Sequence, residues 1–371
     1  MKRSMTESLV LKEIDVEGYE KVIVVSDERV KLKGIICIHN TTLGPALGGT
    51  RIYPYPSFEA ALTDVKRLAR GMTYKSALAE VGLGGGKSVI MCNPKNKTPE
   101  MLIAFAEAVN RLQGQYTGAE DSGCSIEDVT LMAQHTPYFV GVAHEKSSGN
   151  PSPFTAWGTF RGIQAALQAA TGNSSVAGRT VAIQGLGNVG GILAEILFWH
   201  GARLIVSDID WEKTQRIAKK WHAIPCPADD ILSVECDVLS PCAMGGIINP
   251  QTIPQLRCKA IAGAANNQLL NDLDAELLRQ RGILYAPDFV INAGGLINVS
   301  LEIEEEGYSP IKSRNKINVL FDHLVRLFEI SEQNKCSTHQ AALALGDYRI
   351  KYGVGKRRIM PRYHHHEPSR I

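Results

Sequence analysis

The clearest rhythm along the chain is an alternation of short β-branched runs with longer segments of helical period. Residues 21–26 (KVIVVS) and 34–38 (GIICI) read as strands. Residues 57–74 open on Ser57 and place Leu62, Val65, Leu68 and Ala69 at helical spacing, so a helix is predicted there. A strand at 88–92 (SVIMC) follows a glycine cluster. A helix over 99–113 starts with Pro99 in its first turn and stops at Gly114. The polar stretch 145–153 (EKSSGNPSP) reads as a hinge. After a helix at 155–170 the alternation becomes regular. Strand 180–184, helix 188–200, strand 203–207 and helix 211–221 come first. Short strands near 237–239 and 259–262, helix 272–281 and strand 283–285 follow. Such spacing predicts a parallel, doubly wound sheet. A long amphipathic helix is expected over 316–334, with Val319, Leu320, Leu324, Leu327 and Phe328 on one side.

Composition narrows the class. The chain has 371 residues, 44% hydrophobic and 21% charged, with a net charge of +2. A length of this order favours two domains. Apolar content excludes a disordered chain, and near-neutrality argues against a surface for polyanions. The basic run Lys356–Arg357–Arg358 lacks aromatic interleaving, so no nucleic-acid partner is expected. No run reaches about 18 apolar residues, and the N-terminus lacks an apolar signal region. Eight cysteines without a C-x-x-C pair read as reduced thiols, and a cytoplasmic setting is expected. No metal site is expected. His144–Glu145 begins like H-E-x-x-H, but position 148 is Ser, and the His364–His366 trio reads as a solvated tail.

Glycine is in mild excess, at 34 residues, where roughly 7% of a chain is usual. Sixteen of the 34 fall in a few loops, as expected where backbone approaches a ligand. One loop, Gly185–Leu186–Gly187–Asn188–Val189–Gly190, is G-x-G-x-x-G between a strand and a helix. Its first glycine makes the turn, its second admits a pyrophosphate, and its third lets helix and strand pack. Asp208 ends the next strand 18 residues beyond Gly190. An acid there bonds a ribose 2′-hydroxyl and repels a 2′-phosphate, so NAD is expected over NADP. Asp210 is a nearby alternative. Gly82–Ser88 looks like a phosphate loop but has three residues between its outer glycines, where four are required, and it precedes a strand.

That leaves Lys87 without a phosphate to bind. Lys75 and Lys87 lie twelve residues apart, in GMTYK and LGGGK, amid small and apolar neighbours. Two amines held close together disfavour a second charge. One would then take up a proton near neutrality, while the other stays charged and holds a carboxylate. Asp121 would complete a proton path. Its bland alternative is a helix cap, since Ser122, Gly123 and Ser125 precede a helix.

The motifs GPALGGTR (44–51), GMTYKSALA (71–79), LGGGKSVI (83–90), GAED (118–121), GLGNVG, AGAANNQL (262–269) and YAPDFVINAGGLINV (285–299) occur in one order along the chain. Together they resemble the amino-acid dehydrogenase superfamily of glutamate, leucine, phenylalanine and valine dehydrogenases, most of all its leucine-type members. The resemblance covers about residues 35–335. It implies an α/β chain of two domains separated by a cleft, the second a Rossmann-like doubly wound sheet. Residues 1–145 would form the substrate-binding, catalytic and oligomerisation domain, and 146–330 the NAD-binding domain. Residues 331–371 would be a helical segment returning toward the first domain, with a basic tail.

The resemblance also implies roles. Lys75 would hold the substrate carboxylate, Lys87 would activate water, and Asp121 would carry protons. Gly185, Gly187, Asn188, Val189, Gly190, Asp208, Asn266 and Asn292 would serve the cofactor. Leu47, Gly48, Gly49, Ala119, Asn267, Leu296 and Val299 would serve the substrate. Glutamate-specific relatives carry lysine where this chain has Leu47, so a charged side chain would lose its partner. An apolar substrate follows, leucine or another branched-chain amino acid. Leu296 stands where leucine-type members carry valine, which keeps phenylalanine and tryptophan open. The expected reaction is reversible oxidative deamination to a 2-oxo acid and ammonia, in a homo-oligomer (octamer or dimer). The alternative of another class is a non-catalytic NAD-binding regulator.

Overall fold

The computed structural model describes residues 8–145 and 147–364. The chain divides into two compact units. The first takes the described residues up to Asn150, then Val299–Pro310, then the described residues from Tyr348 on. The second takes Pro151–Asn298 and Ile311–Asp347. The units are therefore discontinuous in sequence, unlike the three consecutive blocks expected. Residues 299–310 lie with the first unit, and 331–347 with the second.

The first unit contains β1 (Val10–Ile14), β2 (Lys21–Asp27), β3 (Leu32–Asn40), β4 (Ala46–Ile52), α1 (Phe58–Leu78), β5 (Gly84–Ile90), α2 (Pro99–Asn110), β6 (Tyr116–Ala119) and α3 (Ile126–Ala133). Its six-stranded sheet has the order β1-β2-β3-β5-β4-β6. Strands β1, β2, β3 and β5 pair antiparallel, while β5, β4 and β6 run parallel. Alternation along β3 feeds two cores. Ile35 and Cys37 pack with Ala61, Val65 and Ala69 of α1. Ile36 and Ile38 pack with Phe105 and Val109 of α2. Ser57 caps α1 by accepting from the Ala60 N–H, and Thr98 caps α2 ahead of Pro99.

The glycine cluster expected to precede a strand is itself the first half of β5. A Cβ at Gly85 would fall 2.1 Å from the Thr73 nitrogen on α1, and one at Gly86 would fall 2.9 Å from the Tyr116 ring. Side chains are absent there because a helix and a ring lie directly on the strand. Strand β4 carries the same disguise, since a Cβ at Gly48 would meet the Gly86 carbonyl oxygen at 1.8 Å.

The second unit contains α4 (Ser152–Thr171), β7 (Thr180–Gln184), α5 (Asn188–Trp199), β8 (Arg203–Ser207), α6 (Trp211–Lys220), β9 (Ile224–Pro225), β10 (Glu235–Pro241), β11 (Arg257–Ile261), α7 (Asp274–Gln280), β12 (Leu284–Tyr285) and α8 (Asp288–Ile291). Helix α9 (Gly294–Ser300) leads out of it. Helices α10 (Pro310–Asn318) and α11 (Leu320–Asn334) return to it, and α12 (Thr338–Tyr352) leaves again. All strands are parallel in the order β12-β11-β10-β7-β8-β9. The first strand is central and the order reverses beside it, which is the Rossmann arrangement. The single helix expected over 316–334 is two. The break falls at the exposed Val319, just after Asn318, whose side chain accepts from Trp157 Nε1 at 2.8 Å.

The chain beyond α12 is a strap on the first unit. Arg349 donates to the Ala77 and Leu78 carbonyls at the end of α1. The Arg357 N–H reaches the Leu43 carbonyl, while its guanidinium reaches Gly82, Ile303 and Glu304. Tyr363 meets Thr117 of β6, hydroxyl to hydroxyl at 2.7 Å. His364 is no solvated residue, because its Nε2 lies 2.8 Å from the Glu304 carbonyl oxygen. His365 and His366 lie outside the described residues. All eight cysteines are free thiols. Among the described residues no helix is long and apolar enough to cross a membrane, and no cluster of three His, Cys, Asp or Glu could hold a metal.

Candidate active site

Strand β5 emerges from its glycines into Lys87, which is buried at 7% exposure. Its Nζ lies 2.6 Å from Asp121 Oδ2, just past the end of β6. Gly49 of β4 makes room for both. A Cβ there would stand 2.9 Å from the Asp121 Cβ and 3.2 Å from the Lys87 Nζ. Sheet register sets Leu47 beside Thr117, Gly48 beside Gly118 and Gly49 beside Ala119. Leu47 and Ala119 are buried. Beneath them the Tyr116 hydroxyl donates to the Gly48 carbonyl at 2.7 Å. Lys75 sits on the last turn of α1, the helix that lies on β5 through Thr73 and through the bond from Ser76 Oγ to the Gly84 carbonyl.

Asp121 is not a helix cap. Ser125 caps α3 in a reciprocal box with Asp128. Asp121 instead faces a second cation that the sequence reading did not single out. Arg51 Nε is 3.2 Å from the same Oδ2, and Arg51 Nη1 is 2.9 Å from Asp64 Oδ2 on α1. Tyr55 donates its hydroxyl to that Asp64 oxygen at 2.5 Å. Burial pushes the Asp121 carboxyl up, but the charges of Lys87 and Arg51 outweigh it and hold the group below the ordinary carboxylate range. Its neighbour Glu120 goes the other way, raised first by burial and then by the Asp121 charge. Spacing could not have found Arg51. Its ion-pair partners lie 13 and 70 residues away.

In the second unit the glycine loop separates into parts. Gly185 turns with φ 92°. A Cβ at Gly190 would meet the Gly185 carbonyl oxygen at 2.0 Å, whereas at Gly187 nothing lies within 4 Å. Gly187 is the N-cap of α5 and offers no side-chain bond to the first-turn N–H groups of Asn188, Val189 and Gly190. Uncapped donors beside open space fit the pyrophosphate of a dinucleotide. Asp208, at the end of β8, accepts from the Leu186 N–H at 2.8 Å and the Asp210 N–H at 3.1 Å, with Lys213 at 3.3 Å. Burial raises its carboxyl, but those donors bring it below the ordinary range. Asp210 caps α6.

Asn292 Nδ2 donates to Asn266 Oδ1 at 2.7 Å and to the Ala264 carbonyl at 3.1 Å, while its buried Oδ1 has no partner. A buried orphan acceptor suits a ligand that carries an amide donor. Asn267 holds a left-handed backbone, φ 51°, and its carbonyl accepts from the Gly246 N–H. Leu296 and Val299 are both buried, three residues apart on α9.

A Rossmann sheet with an open glycine loop, joined to a unit bearing a buried lysine–aspartate pair, defines a nicotinamide-dependent dehydrogenase. Comparison with known proteins narrows the class. Residues 20–140 match the family model described as Glu/Leu/Phe/Val dehydrogenase, dimerisation domain, and residues 209–351 match Glutamate/Leucine/Phenylalanine/Valine dehydrogenase. The chain is 46% identical over 344 residues to a leucine dehydrogenase of Geobacillus stearothermophilus, covering 92% of this chain and 93% of that one. A phenylalanine dehydrogenase of Caldalkalibacillus thermarum is 44% identical, covering 91% and 92%. The crystal structure of L-tryptophan dehydrogenase from Nostoc punctiforme superposes with a TM-score of 0.78 at 42% identity, covering 91% of this chain and 97% of that one. The chain belongs to the glutamate/leucine/phenylalanine/valine dehydrogenase family and is an amino-acid dehydrogenase.

Proposed function

We propose that the chain catalyses reversible, NAD-dependent oxidative deamination of an apolar L-amino acid, leucine or another branched-chain substrate, to the 2-oxo acid and ammonia. The observation that carries this reading is the buried Lys87–Asp121 contact at 2.6 Å, on a sheet where Leu47 stands in the place of a substrate-binding cation. A carboxylate side chain buried beside Leu47 would have no counter-charge, which disfavours glutamate.

Lys75 holds the substrate carboxylate and so orients Cα and its nitrogen. Lys87, once its own proton has passed to the Asp121 carboxylate 2.6 Å away, takes a proton from the water that attacks the oxidised carbon. Asp121 moves protons to and from the substrate nitrogen as ammonia leaves. The bound nicotinamide supplies the two-electron acceptor. The glycine loop and the N-terminus of α5 hold its pyrophosphate, and Asp208 favours a ribose without a 2′-phosphate. Asn266 and Asn292 orient the nicotinamide end, and Asn267 the substrate. Leu47, Gly48, Gly49, Ala119, Leu296 and Val299 shape an apolar side-chain site. The enzyme acts as a homo-oligomer, and its free cysteines suit a reducing cytoplasm.

A spectrophotometric panel tests the reading. NAD and NADP are each offered with aliphatic, aromatic and acidic L-amino acids. Reduction of NAD with leucine, isoleucine or valine is expected to exceed that with glutamate by orders of magnitude. Preference for phenylalanine or tryptophan would move the substrate assignment, and silence across the panel would leave a non-catalytic cofactor-binding protein. Lys87→Ala is expected to lower turnover at least about 100-fold. Near-normal turnover would remove Lys87 from the mechanism.

A further inference from the structure

We propose that Arg51 is a positioning residue for the reaction: with Lys87 it anchors Oδ2 of Asp121, so that protons are exchanged at Oδ1. This rests on the dehydrogenase reading above and adds to it an assignment of the reacting oxygen.

The geometry is a chain of alternating charge that crosses three elements. Tyr55 donates to Asp64, Asp64 receives Arg51, Arg51 reaches Asp121, and Asp121 receives Lys87. Both cations contact one and the same oxygen of Asp121, Arg51 Nε at 3.2 Å and Lys87 Nζ at 2.6 Å. An oxygen shared by two cations is the poorer proton acceptor of the pair. Arg51 Nη1 is already held by Asp64 at 2.9 Å while its Nε faces Asp121. Its guanidinium is fixed from behind and cannot follow a ligand, which suits it to orient Asp121.

The step involved is a proton transfer only. An N–H bond of the substrate nitrogen breaks as an O–H bond forms at Asp121 Oδ1, and the reverse follows. No electrons change hands. Arg51 keeps Asp121 ionised and ready to accept. The charged and titratable groups around Asp121 are Lys87 of β5, Arg51 of β4, Asp64 of α1 behind Arg51, Tyr55 behind Asp64, Glu120 beside it, and Tyr116 and Cys124 nearby. Only Lys87 and Arg51 among these favour the carboxylate.

The sign of the effect follows. Without Arg51 the carboxyl titrates at a higher pH, so the acidic limb of the log kcat/KM profile moves upward. Arg51→Gln is expected to shift that limb up by about one pH unit. Arg51→Lys keeps the charge but reaches only one carboxylate, and a smaller shift in the same direction is expected. Asp64→Asn removes an anion behind Arg51 and is expected to shift the limb downward. An infrared titration of the carboxyl band, assigned with Asp121→Asn, reads the same displacements without turnover. A folded Arg51→Gln enzyme with an unmoved limb and an unmoved carboxyl band overturns the proposal, as does an Asp64→Asn shift of the same sign. If Arg51→Gln does not fold, the Arg51→Lys and Asp64→Asn shifts decide it. A wild-type protein without amino-acid-dependent cofactor reduction would instead refute the dehydrogenase reading. The infrared titration would then still judge the Arg51–Asp121 coupling.

Discussion

Gly187 and Gly190 answer to different forces. Gly190 is demanded by the fold, because a Cβ there would overlap the Gly185 carbonyl oxygen at 2.0 Å. Gly187 has open space around its missing side chain, so its demand comes from a ligand. Gly187→Ala is therefore expected to leave the melting temperature nearly unchanged and to raise the cofactor KM about ten-fold. Gly190→Ala is expected to destabilise the protein by about 2 kcal/mol or more. Thermal melts and cofactor titrations of the two variants check both statements. Glu302 makes a second point at this scale. It is 2% exposed and accepts from Gly141 N, Ser147 Oγ, Ser148 N and Ser148 Oγ. Burial raises its carboxyl, and those donors only moderate the rise. A carboxyl raised in the folded state contributes most stability below the ordinary carboxylate range, and loses that contribution as pH rises through the raised value. Asp121 is the reverse case. Its lowered carboxyl contributes above the ordinary range and loses the contribution as pH falls. Glu302→Ala strands several buried donors, and urea unfolding at pH 7 is expected to show a loss of about 2–4 kcal/mol. Lys87 and Asp121 were legible as motif residues. Arg51 and Glu302 were not, because the ion-pair partners of Arg51 lie 13 and 70 residues away and the donors to Glu302 more than 150.

Elements were legible in proportion to how far their sequences follow one period. The strand–helix alternation of 180–221 appears at nearly its read boundaries, because buried parallel strands are β-branched runs and the helices between them start at local signals, a glycine turn before α5 and the Asp210 cap of α6. Strands β4 and β5 hide their period, since glycine fills the positions where a neighbour lies against the backbone. The C-terminal strap has no period at all. It is held by an arginine whose guanidinium reaches backbone carbonyls of residues 82 and 303. Those contacts precede β5 and follow α9, and the Arg357 N–H meets Leu43 ahead of β4. The strap thus fastens the approaches to the strands that carry Gly48, Gly49 and Lys87. Arg357→Ala removes the guanidinium from the Gly82 carbonyl and from Glu304, while the backbone bonds to Leu43 and from Arg362 to Ile303 remain. A loss of about 2–3 kcal/mol is expected, read as a lower melting temperature with substrate preference unchanged.

At the scale of the whole molecule, the chain builds two units, each with its own sheet and apolar core. If the proposed homo-oligomer forms, the 40.5 kDa chain is expected to sediment at no less than twice that mass. A concentration-independent monomer in sedimentation equilibrium would refute the assembly. The sequence by itself determined the Rossmann order of business: a glycine loop between strand and helix, an acid at the next strand end, and two lysines with an aspartate in fixed motifs. These are local patterns, written by backbone sterics and helix and strand period. Only the tertiary structure decided that one carboxylate oxygen of Asp121 faces two cations, that Glu302 gathers Gly141, Ser147 and Ser148, and that residues 348–364 rejoin the first unit. Such contacts join residues tens to hundreds of positions apart. They leave no period in the sequence, and they form only when the sheets and helices have already brought the chain together.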